Sequence, residues 1–174
     1  MSVDVVWHDV ALGAHAALAA HLGPGTTVTG RLCARCGSAD HGRPWASYDG
    51  RAVPVSLARS GPHLVTAVST EGAVGVDVES VAEVAARWPA GLVLAPGEVA
   101  VDGLEQARVW ARKEAVLKAY GVGLDRPMTS LHLAAESWAD VAAPAGYVAA
   151  LAVLRPQPAA PAAPPGRATR RRGR

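Results

Sequence analysis

Apolar and polar positions follow two different periods along this chain, and the period predicts where strands and helices lie. Alternating or short apolar runs bounded by turn residues predict strands at Val3–Trp7, Thr26–Leu32, Val53–Leu57, Leu64–Val68, Val74–Val78, Leu131–Ala135 and Tyr147–Leu154. Longer Ala- and Leu-rich stretches predict helices at Ala11–Leu22, Val81–Trp88 and Gly103–Tyr120. We predict a loop for Cys33–Trp45 and a connection for Gly91–Glu98, to which the sequence assigns no particular element.

The third helix has the clearest end signals in the chain. Asp102 stands at the N-cap position, with Glu105 three residues on, which is the arrangement of a capping box. Gly121 follows the last turn, and Lys118 lies within that turn, where a cation suits the negative end of the helix dipole. These signals predict a helix that ends at Tyr120.

The order of elements predicts an α+β protein made of two similar halves. Each half contributes a helix and a few strands, and Val3-Asp4-Val5 resembles Val76-Asp77-Val78. The three runs between residues 53 and 78 suggest an antiparallel meander. We therefore predict a pseudo-two-fold pair of small antiparallel sheets, each packed with a helix, with an N-terminal half at 1–73 and a C-terminal half at 74–155.

Charge is distributed unevenly between the body of the chain and its C-terminal segment. The 174 residues carry a net charge of +2, but residues 156–174 hold five of the 17 basic side chains and no acid. The remaining 12 basic and 15 acidic side chains give residues 1–155 a net charge of −3. The body therefore lacks the basic field that nucleic-acid binding requires. We predict that the Pro-, Ala- and Arg-rich segment 156–174 is disordered and solvated.

No segment of the sequence predicts membrane insertion or export. The apolar stretch Ala11–Leu22 is too short to span a bilayer and is interrupted by His15 and His21. Early acidic residues, Asp4 and Asp9, do not suit a signal peptide. Two closely spaced cysteines do not form a disulfide scaffold. We expect a cytoplasmic protein.

Glu114 is an acidic residue on the apolar side of the third helix. At helical spacing it lies between Trp110 and Leu117, where an unpaired carboxylate would be costly. The simplest explanation is an i,i+4 pair with Lys118 on a solvated face. A second acidic stretch upstream supports a different one.

Asp77 and Glu79 lie on the same face of a predicted strand, while the alternating valines face the core. This pair alone is compatible with the polar face of an edge strand. Together with Glu114, however, it provides three hard oxygen ligands of the kind that Mg²⁺ prefers. Lys113 and Lys118 flank the third carboxylate and could bind phosphate oxygens. The set suits metal-assisted chemistry on a pyrophosphate.

Four segments of the chain, in order, resemble the motifs of 4′-phosphopantetheinyl transferases. They are Gly42-Arg43-Pro44, Val55-Ser56-Leu57-Ala58-Arg59-Ser60-Gly61, Gly75-Val76-Asp77-Val78-Glu79, and the stretch from Trp110 to Lys118 with Gly121 and Gly123. The resemblance covers about residues 3–154. It is closest to the larger, surfactin-synthetase-activating (Sfp) type, in which two similar halves lie in one chain.

The resemblance implies a reaction and a metal site. The family transfers the phosphopantetheine arm of coenzyme A to a serine of an apo carrier protein and releases 3′,5′-ADP. By resemblance, Asp77, Glu79 and Glu114 hold Mg²⁺ against the coenzyme A pyrophosphate. Glu114 also assists deprotonation of the carrier serine, directly or through water.

The resemblance also implies contacts to coenzyme A. Lys118 stabilises charge on the leaving ADP, and Lys113 contacts phosphate. Arg43 and Pro44 correspond to the loop that holds the adenine and 3′-phosphate. One departure is the pair Ala58-Arg59, where the family usually has Ser-His; an arginine keeps a cationic donor for the 3′-phosphate. The first half is also short for the family.

Two cysteines and a histidine lie in the predicted loop before Arg43. Cys33, Cys36 and His41 have the spacing of a zinc half-site, but a structural zinc needs four ligands and the chain has no second cysteine pair. His63 or Asp40 would have to complete it. We interpret the segment as a tight loop with two thiols that shapes the neighbouring Gly-Arg-Pro segment, with zinc binding as the alternative.

The sequence therefore predicts a Mg²⁺-dependent, monomeric transferase that activates carrier domains of polyketide, nonribosomal-peptide or fatty-acid synthases. By resemblance, Ser80–Glu98 meets the carrier protein, and an apolar surface around Val81, Val84 and Trp88 would fit that role. Two alternatives stay open. One is a degenerate module that binds coenzyme A or a carrier without transfer, and the other is a different Mg²⁺-dependent enzyme that cleaves pyrophosphates.

Overall fold

The computed structural model describes residues 2–155 of the chain, which form nine strands and four α-helices in that range. The strands are β1 (Val3–Asp9), β2 (Thr27–Leu32), β3 (Arg43–Tyr48), β4 (Arg51–Val53), β5 (Val55–Ser60), β6 (His63–Ser69), β7 (Ala73–Ser80), β8 (Trp138–Val141) and β9 (Tyr147–Leu154). The helices are α1 (Ala14–Leu22), α2 (Val81–Ala86), α3 (Ala90–Val93) and α4 (Gly103–Tyr120). Short 3₁₀ turns connect several of them.

These strands form three separate antiparallel sheets, and two of the sheets have the same connectivity. The first has the order β1-β6-β5 and the third has the order β7-β9-β8, so in each the first strand pairs with the last. The second sheet, β2-β3-β4, is inserted in the first half. Each of the two equivalent sheets packs with a helix, α1 or α4. The predicted α+β fold with two similar halves is thereby confirmed.

Helix α4 lies unusually close to strand β7 because β7 has a glycine at the contact. A Cβ on Gly75 would collide with the backbone oxygen of Ala115 and approach the backbone nitrogen of Ala119 to 2.5 Å. The helix side of this contact consists of the small buried residues Ala115 and Ala119. Small side chains on both elements let the two backbones meet.

The two faces of β7 have different partners, as the alternation of its residues predicts. Val74, Val76 and Val78 are buried in a cluster with Ala58 and Val65 of the first sheet. The opposite face carries Gly75, Asp77 and Glu79 and is turned toward α4. Buried valines therefore join the two halves, and the acidic residues lie on the side of the helix.

A hydrogen bond also ties the two edge strands β5 and β7 together. The backbone N–H of Val76 donates to Oγ of Ser56 over 3.0 Å, and both groups are buried. A buried N–H without a partner would be costly, so Ser56 satisfies a donor that the β7–β9 ladder leaves open.

The ends of α4 are those that the sequence predicts. Oδ1 of Asp102 accepts a hydrogen bond from the backbone N–H of Glu105 at 2.8 Å. Gly121 has a φ of 73°, in the left-handed region, and its N–H bonds to the carbonyls of Leu117 and Lys118. The helix therefore runs from Gly103 to Tyr120, as expected.

Several expectations about the remaining elements are wrong. Only the first link of the predicted meander forms: β5 pairs with β6, whereas β7 pairs with β9 and β1 takes the other side of β6. The predicted strand Leu131–Ala135 does not form; Leu133–Ala135 is a 3₁₀ turn, and the third strand of the sheet is β8 instead. The predicted loop Cys33–Trp45 contains the first residues of β3. Gly13, at a φ of 77°, breaks the first helix, so α1 begins at Ala14.

Two further predictions concern the C-terminal segment and membrane insertion. The segment 156–174, for which we predict disorder, lies outside the described residues. Within residues 2–155, no helix combines the length and the apolar character needed to cross a membrane.

The close contact between β7 and α4 makes a prediction about stability. Substitution Gly75→Ala places a methyl group against helix backbone that cannot rotate away, so we expect a loss of about 1–3 kcal/mol in the free energy of unfolding. Chemical denaturation followed by circular dichroism measures it. Gly91→Ala in α3 is the matched control, because nothing lies within 4 Å of its Cβ position. Equal stability of the two variants would contradict the described packing.

Candidate metal and phosphate site

Strand β7 and helix α4 bring four of the predicted site residues together. Asp77 and Glu79 extend from β7 toward the helix, and Glu114 and Lys118 lie one turn apart on α4. Each carboxylate shifts the protonation of at least one other, so the four side chains form one electrostatic cluster. That they act together as a metal and phosphate site stays a prediction.

Asp77 is the buried centre of this cluster, with 4% of its surface exposed. Its Oδ1 accepts a hydrogen bond from Nζ of Lys118 at 2.5 Å, and the same ammonium donates to the carbonyl of Val76 at 3.2 Å. Lys118 therefore pairs with Asp77 across the helix–strand contact. The alternative of an exposed Glu114–Lys118 pair within the helix is not what the structure has.

The other oxygen of Asp77, Oδ2, is buried and has no hydrogen-bond partner among the described residues. A buried carboxylate oxygen in this state is costly unless it gains a proton or a cation. The unsatisfied oxygen is thus a position where the protein has a ligand to offer.

The pKa values of all three carboxyl groups are raised. Burial raises the pKa of Glu79 to about 8, with a further contribution from the negative charge of Asp77. Burial raises the pKa of Asp77 against the opposing effect of Lys118. Burial and then the charge of Asp77 raise the pKa of Glu114. One ammonium is too little positive charge for three carboxylates, so a divalent cation would relieve their repulsion.

The donor set fits a hard divalent cation, although it is not closed around a single point. Three carboxylates, one of which has a buried oxygen without a partner among the described residues, are typical ligands for Mg²⁺, which also retains several waters and takes substrate phosphate oxygens. The ligand atoms of Asp77, Glu79 and Glu114 do not all lie within 4.8 Å of one another. Direct ligation by all three would require side-chain rotation, and water could bridge the remaining distance.

Lys113 lies elsewhere, which contradicts the expectation that it contacts phosphate. Its side chain is fully buried on the opposite side of α4, and its ammonium pairs with Glu98 at 2.5 Å. It also donates to the carbonyls of Val93, at 2.7 Å, and Met128, at 3.0 Å. These partners use all three N–H donors of the ammonium, so Lys113 holds the segment before α4 in place.

Arg112, the other basic residue of this motif, also has a structural partner. Its guanidinium makes two parallel hydrogen bonds to Asp140, at 2.8 and 2.7 Å, and lies 4.3 Å from the ring centre of Trp138. It thereby fastens α4 to strand β8. Among the basic residues of the motif, Lys118 alone belongs to the carboxylate cluster.

The first half places two predicted coenzyme A contacts on the surface. Arg43 is exposed at the start of β3, and its guanidinium lies against Gly121, directly after the last turn of α4. Pro44 follows it and is partly buried. Arg59 is exposed near the end of β5. Within residues 2–155, neither arginine makes a side-chain hydrogen bond or ion pair.

A cavity of about 170 Å³ opens beside the carboxylate cluster. Its walls are formed by Glu79, α2, Pro89 and Trp110. A larger cavity of about 460 Å³ lies at the C-terminal end of α4 and along strands β8 and β9. None of the three carboxylates lines the larger one, so the smaller cavity is the one that adjoins the candidate chemistry.

The apolar surface expected around α2 is not present. Val84 is buried, and Val81 and Trp88 pack against the core beside α4. The exposed apolar side chains lie further along the chain instead. Leu92, Val99 and Val101 are 74%, 71% and 81% exposed, and they flank the connection into α4.

The raised carboxyl pKa values predict a pH dependence of stability for the metal-free protein. A carboxyl group whose pKa is higher when folded binds more protons in the folded state, so stability falls as pH rises from its unfolded value, about 4.5, to its folded value. For Glu79 this range extends to about pH 8. We expect the melting temperature to fall across this range in a chelator-containing buffer, and to fall less in Glu79→Gln.

The control is Glu83→Gln, which removes an exposed carboxylate from α2. It should reproduce the unmodified profile. A Glu79→Gln profile as steep as that of the unmodified protein would contradict the electrostatic description. Added Mg²⁺ should raise the melting temperature more at pH 8 than at pH 5, because deprotonated carboxylates bind the cation.

Part of the chain matches a model of a protein family. Residues 73–151 match the family model ACPS, the 4′-phosphopantetheinyl transferase superfamily. A search of curated proteins gave no match for the chain. The matched range runs from β7 into β9 and contains Asp77, Glu79, Glu114 and Lys118. The comparison therefore supports phosphopantetheinyl transfer, in general terms, for the half of the chain that holds the carboxylate cluster.

Proposed function

We propose that this protein is a Mg²⁺-dependent 4′-phosphopantetheinyl transferase of the Sfp type. It transfers the phosphopantetheine arm of coenzyme A to a serine of an apo carrier protein and releases 3′,5′-ADP. The observation that carries the proposal is the cluster of Asp77, Glu79, Glu114 and Lys118, which lies within the range matched by the superfamily. The Sfp type is supported by the two halves of equal strand order in one chain.

The metal would be held by Asp77, Glu79 and Glu114. Bound Mg²⁺ would neutralise charge on the pyrophosphate oxygens of coenzyme A. On the protein side, Oδ2 of Asp77 is the buried oxygen without a partner, and Oδ1 is held by Lys118. Lys118 thus positions the buried carboxylate with one oxygen directed away from the ion pair.

Glu114 is the candidate base for the carrier serine. It is only partly buried, so a substrate hydroxyl or a water can reach it. A carboxylate in this position would accept the serine proton directly or through a water. The serine oxygen would attack phosphorus as its proton moves to Glu114, and the bond from phosphorus to the ADP oxygen would break.

Basic residues from both halves would bind the nucleotide end of coenzyme A. The Lys118 side chain is 29% exposed, and two of its three N–H donors have partners in the protein. The third can stabilise charge on the leaving ADP. Arg43, exposed beside the end of α4, and Arg59 offer guanidinium groups for phosphate, while Pro44 stands where the adenine loop is expected.

The carrier protein would bind near the connection into α4. This connection presents Leu92, Val99 and Val101 as exposed apolar side chains, and solvent-exposed side chains of this size are typical of docking surfaces when they cluster. The cavity beside Glu79 is lined in part by Pro89, the residue before α3. We further propose that the enzyme acts as a cytoplasmic monomer on carrier domains of polyketide, nonribosomal-peptide or fatty-acid synthases.

A transfer assay tests the proposed activity. Incubation with an apo carrier protein, labelled coenzyme A and Mg²⁺ should label the carrier, and chelation should abolish labelling. We expect Glu114→Gln to lower the rate by about 100-fold or more, because it removes both a metal ligand and the base. Glu105→Gln, on the same helix and paired with Arg108, should retain the rate.

The outcomes of this assay separate the competing functions. Coenzyme A binding without labelling would favour the degenerate binding module that Ala58-Arg59 suggests. Cleavage of coenzyme A without carrier labelling would indicate a different pyrophosphate-cleaving enzyme. Either result would overturn the proposed transfer.

A second experiment tests the carrier surface. Val101→Asp introduces a charge into the exposed apolar connection, so we expect the KM for the carrier to rise about tenfold while the KM for coenzyme A is unchanged. Val28→Asp is the matched control, because Val28 is 50% exposed on β2, in the inserted sheet. A larger effect of the control, or an equal change in both KM values, would place carrier docking elsewhere.

A further inference from the structure

The loop between β2 and β3 carries a cluster of soft metal ligands that the proposed reaction does not use. Cys33, Cys36 and His41 lie within this loop, and each offers one ligand atom: two sulfurs and one imidazole nitrogen. These atoms all lie within 4.8 Å of one another. The sulfur of Cys36 is 3.4 Å from Nε2 of His41.

The backbone of the loop is folded around the sulfurs. The N–H of Cys33 donates to the carbonyl of Ser38 at 2.9 Å, and the N–H of Gly37 donates to the carbonyl of Cys33 at 2.8 Å. Gly37 has a φ of 73°, which glycine adopts without strain. The turn after Cys36 therefore brings the two cysteines to the same side of the loop.

The three side chains also have the chemistry of a soft-metal site. Two thiolates and one imidazole are the ligand types of zinc rather than of Mg²⁺.

We propose that Cys33, Cys36 and His41 bind Zn²⁺, with water in the fourth position. The other residues considered for that position are occupied differently. His63 packs edge-on against Trp7 and Tyr147, and Asp40 lies 3.4 Å from the hydroxyl of Ser38. Cys36 and His41 are exposed, so solvent reaches the site. The proximity of the three ligand atoms favours a metal site over a simple loop with two thiols.

The site would fix the beginning of β3. His41 is followed by Gly42, whose φ is 99° and whose Cβ position is filled by backbone atoms of Leu32 and Cys33. The carbonyl of Gly42 accepts a hydrogen bond from Arg31 at 3.0 Å. A metal bound to His41 would hold this contact closed, and with it the position from which Arg43 extends. An effect of this metal on coenzyme A binding through Arg43 rests on the proposed function. The binding of zinc to the loop does not.

Metal analysis of the full-length protein tests the site. The protein is purified without a polyhistidine tag or chelator from zinc-supplemented medium, and we expect about one zinc per chain. Replacement with Co²⁺ should give thiolate-to-cobalt charge-transfer absorption and the ligand-field bands of a four-coordinate site. Carboxylates give no such charge-transfer band, so the readout is independent of the Mg²⁺ site and of transfer activity.

Variants assign the signal to the three ligands. Cys36→Ser and His41→Ala should each weaken Zn²⁺ binding about 100-fold or more, and His132→Ala, at an exposed position, should not. Circular dichroism verifies that the variants fold. Hydrogen exchange of residues 33–44 should slow when zinc is added to the metal-free protein. Absence of zinc together with absence of the cobalt band, both under reducing conditions, would overturn the proposal.

Discussion

The candidate site depends on the close approach of helix α4 to strand β7 at Gly75. The helix backbone occupies the space where any other residue would place a Cβ, and this brings Lys118 to the buried carboxylate of Asp77. The same approach sets Glu114 near enough to Asp77 for its charge to be felt. Packing therefore brings three carboxylates close to a single ammonium. A divalent cation would reduce the repulsion among these carboxylates.

The first half of the protein repeats this arrangement in a weaker form. Sheet β1-β6-β5 has the same strand order as β7-β9-β8, and α1 follows β1 as α4 follows β7 in its half. In the last turn of α1, His21 lies 3.4 Å from Asp4 of β1, where α4 has Lys118 beside Asp77. The first half lacks the other two carboxylates of the cluster. The two halves therefore share their strand order, but the acidic cluster lies in the second half.

Local sequence signals predict the ends of a helix and the faces of a strand well. They do not predict which distant residues come into contact. The bounds of α4 follow from Asp102 and Gly121, and the faces of β7 follow from simple alternation. Lys113 was misassigned because nothing near it in sequence shows that Glu98 and two carbonyls surround its ammonium. Likewise, Cys33 and His41 have a spacing that permits a metal, but only the folded loop shows that their ligand atoms meet. Pairing of β7 with β9 rather than β6 is also set by tertiary packing, which a short apolar run does not encode.

The position of a bound divalent cation tests most directly whether Asp77, Glu79 and Glu114 form a metal site. Crystals grown with Mn²⁺ and coenzyme A give an anomalous signal that locates the metal without reference to activity. We expect a peak bounded by Asp77, Glu79 and Glu114, with Oδ2 of Asp77 facing it. The carboxylate oxygens should lie about 2.0–2.2 Å from the metal or be bridged to it by one water. A cation bound away from these carboxylates, or no peak beside them while coenzyme A is bound, would contradict this expectation.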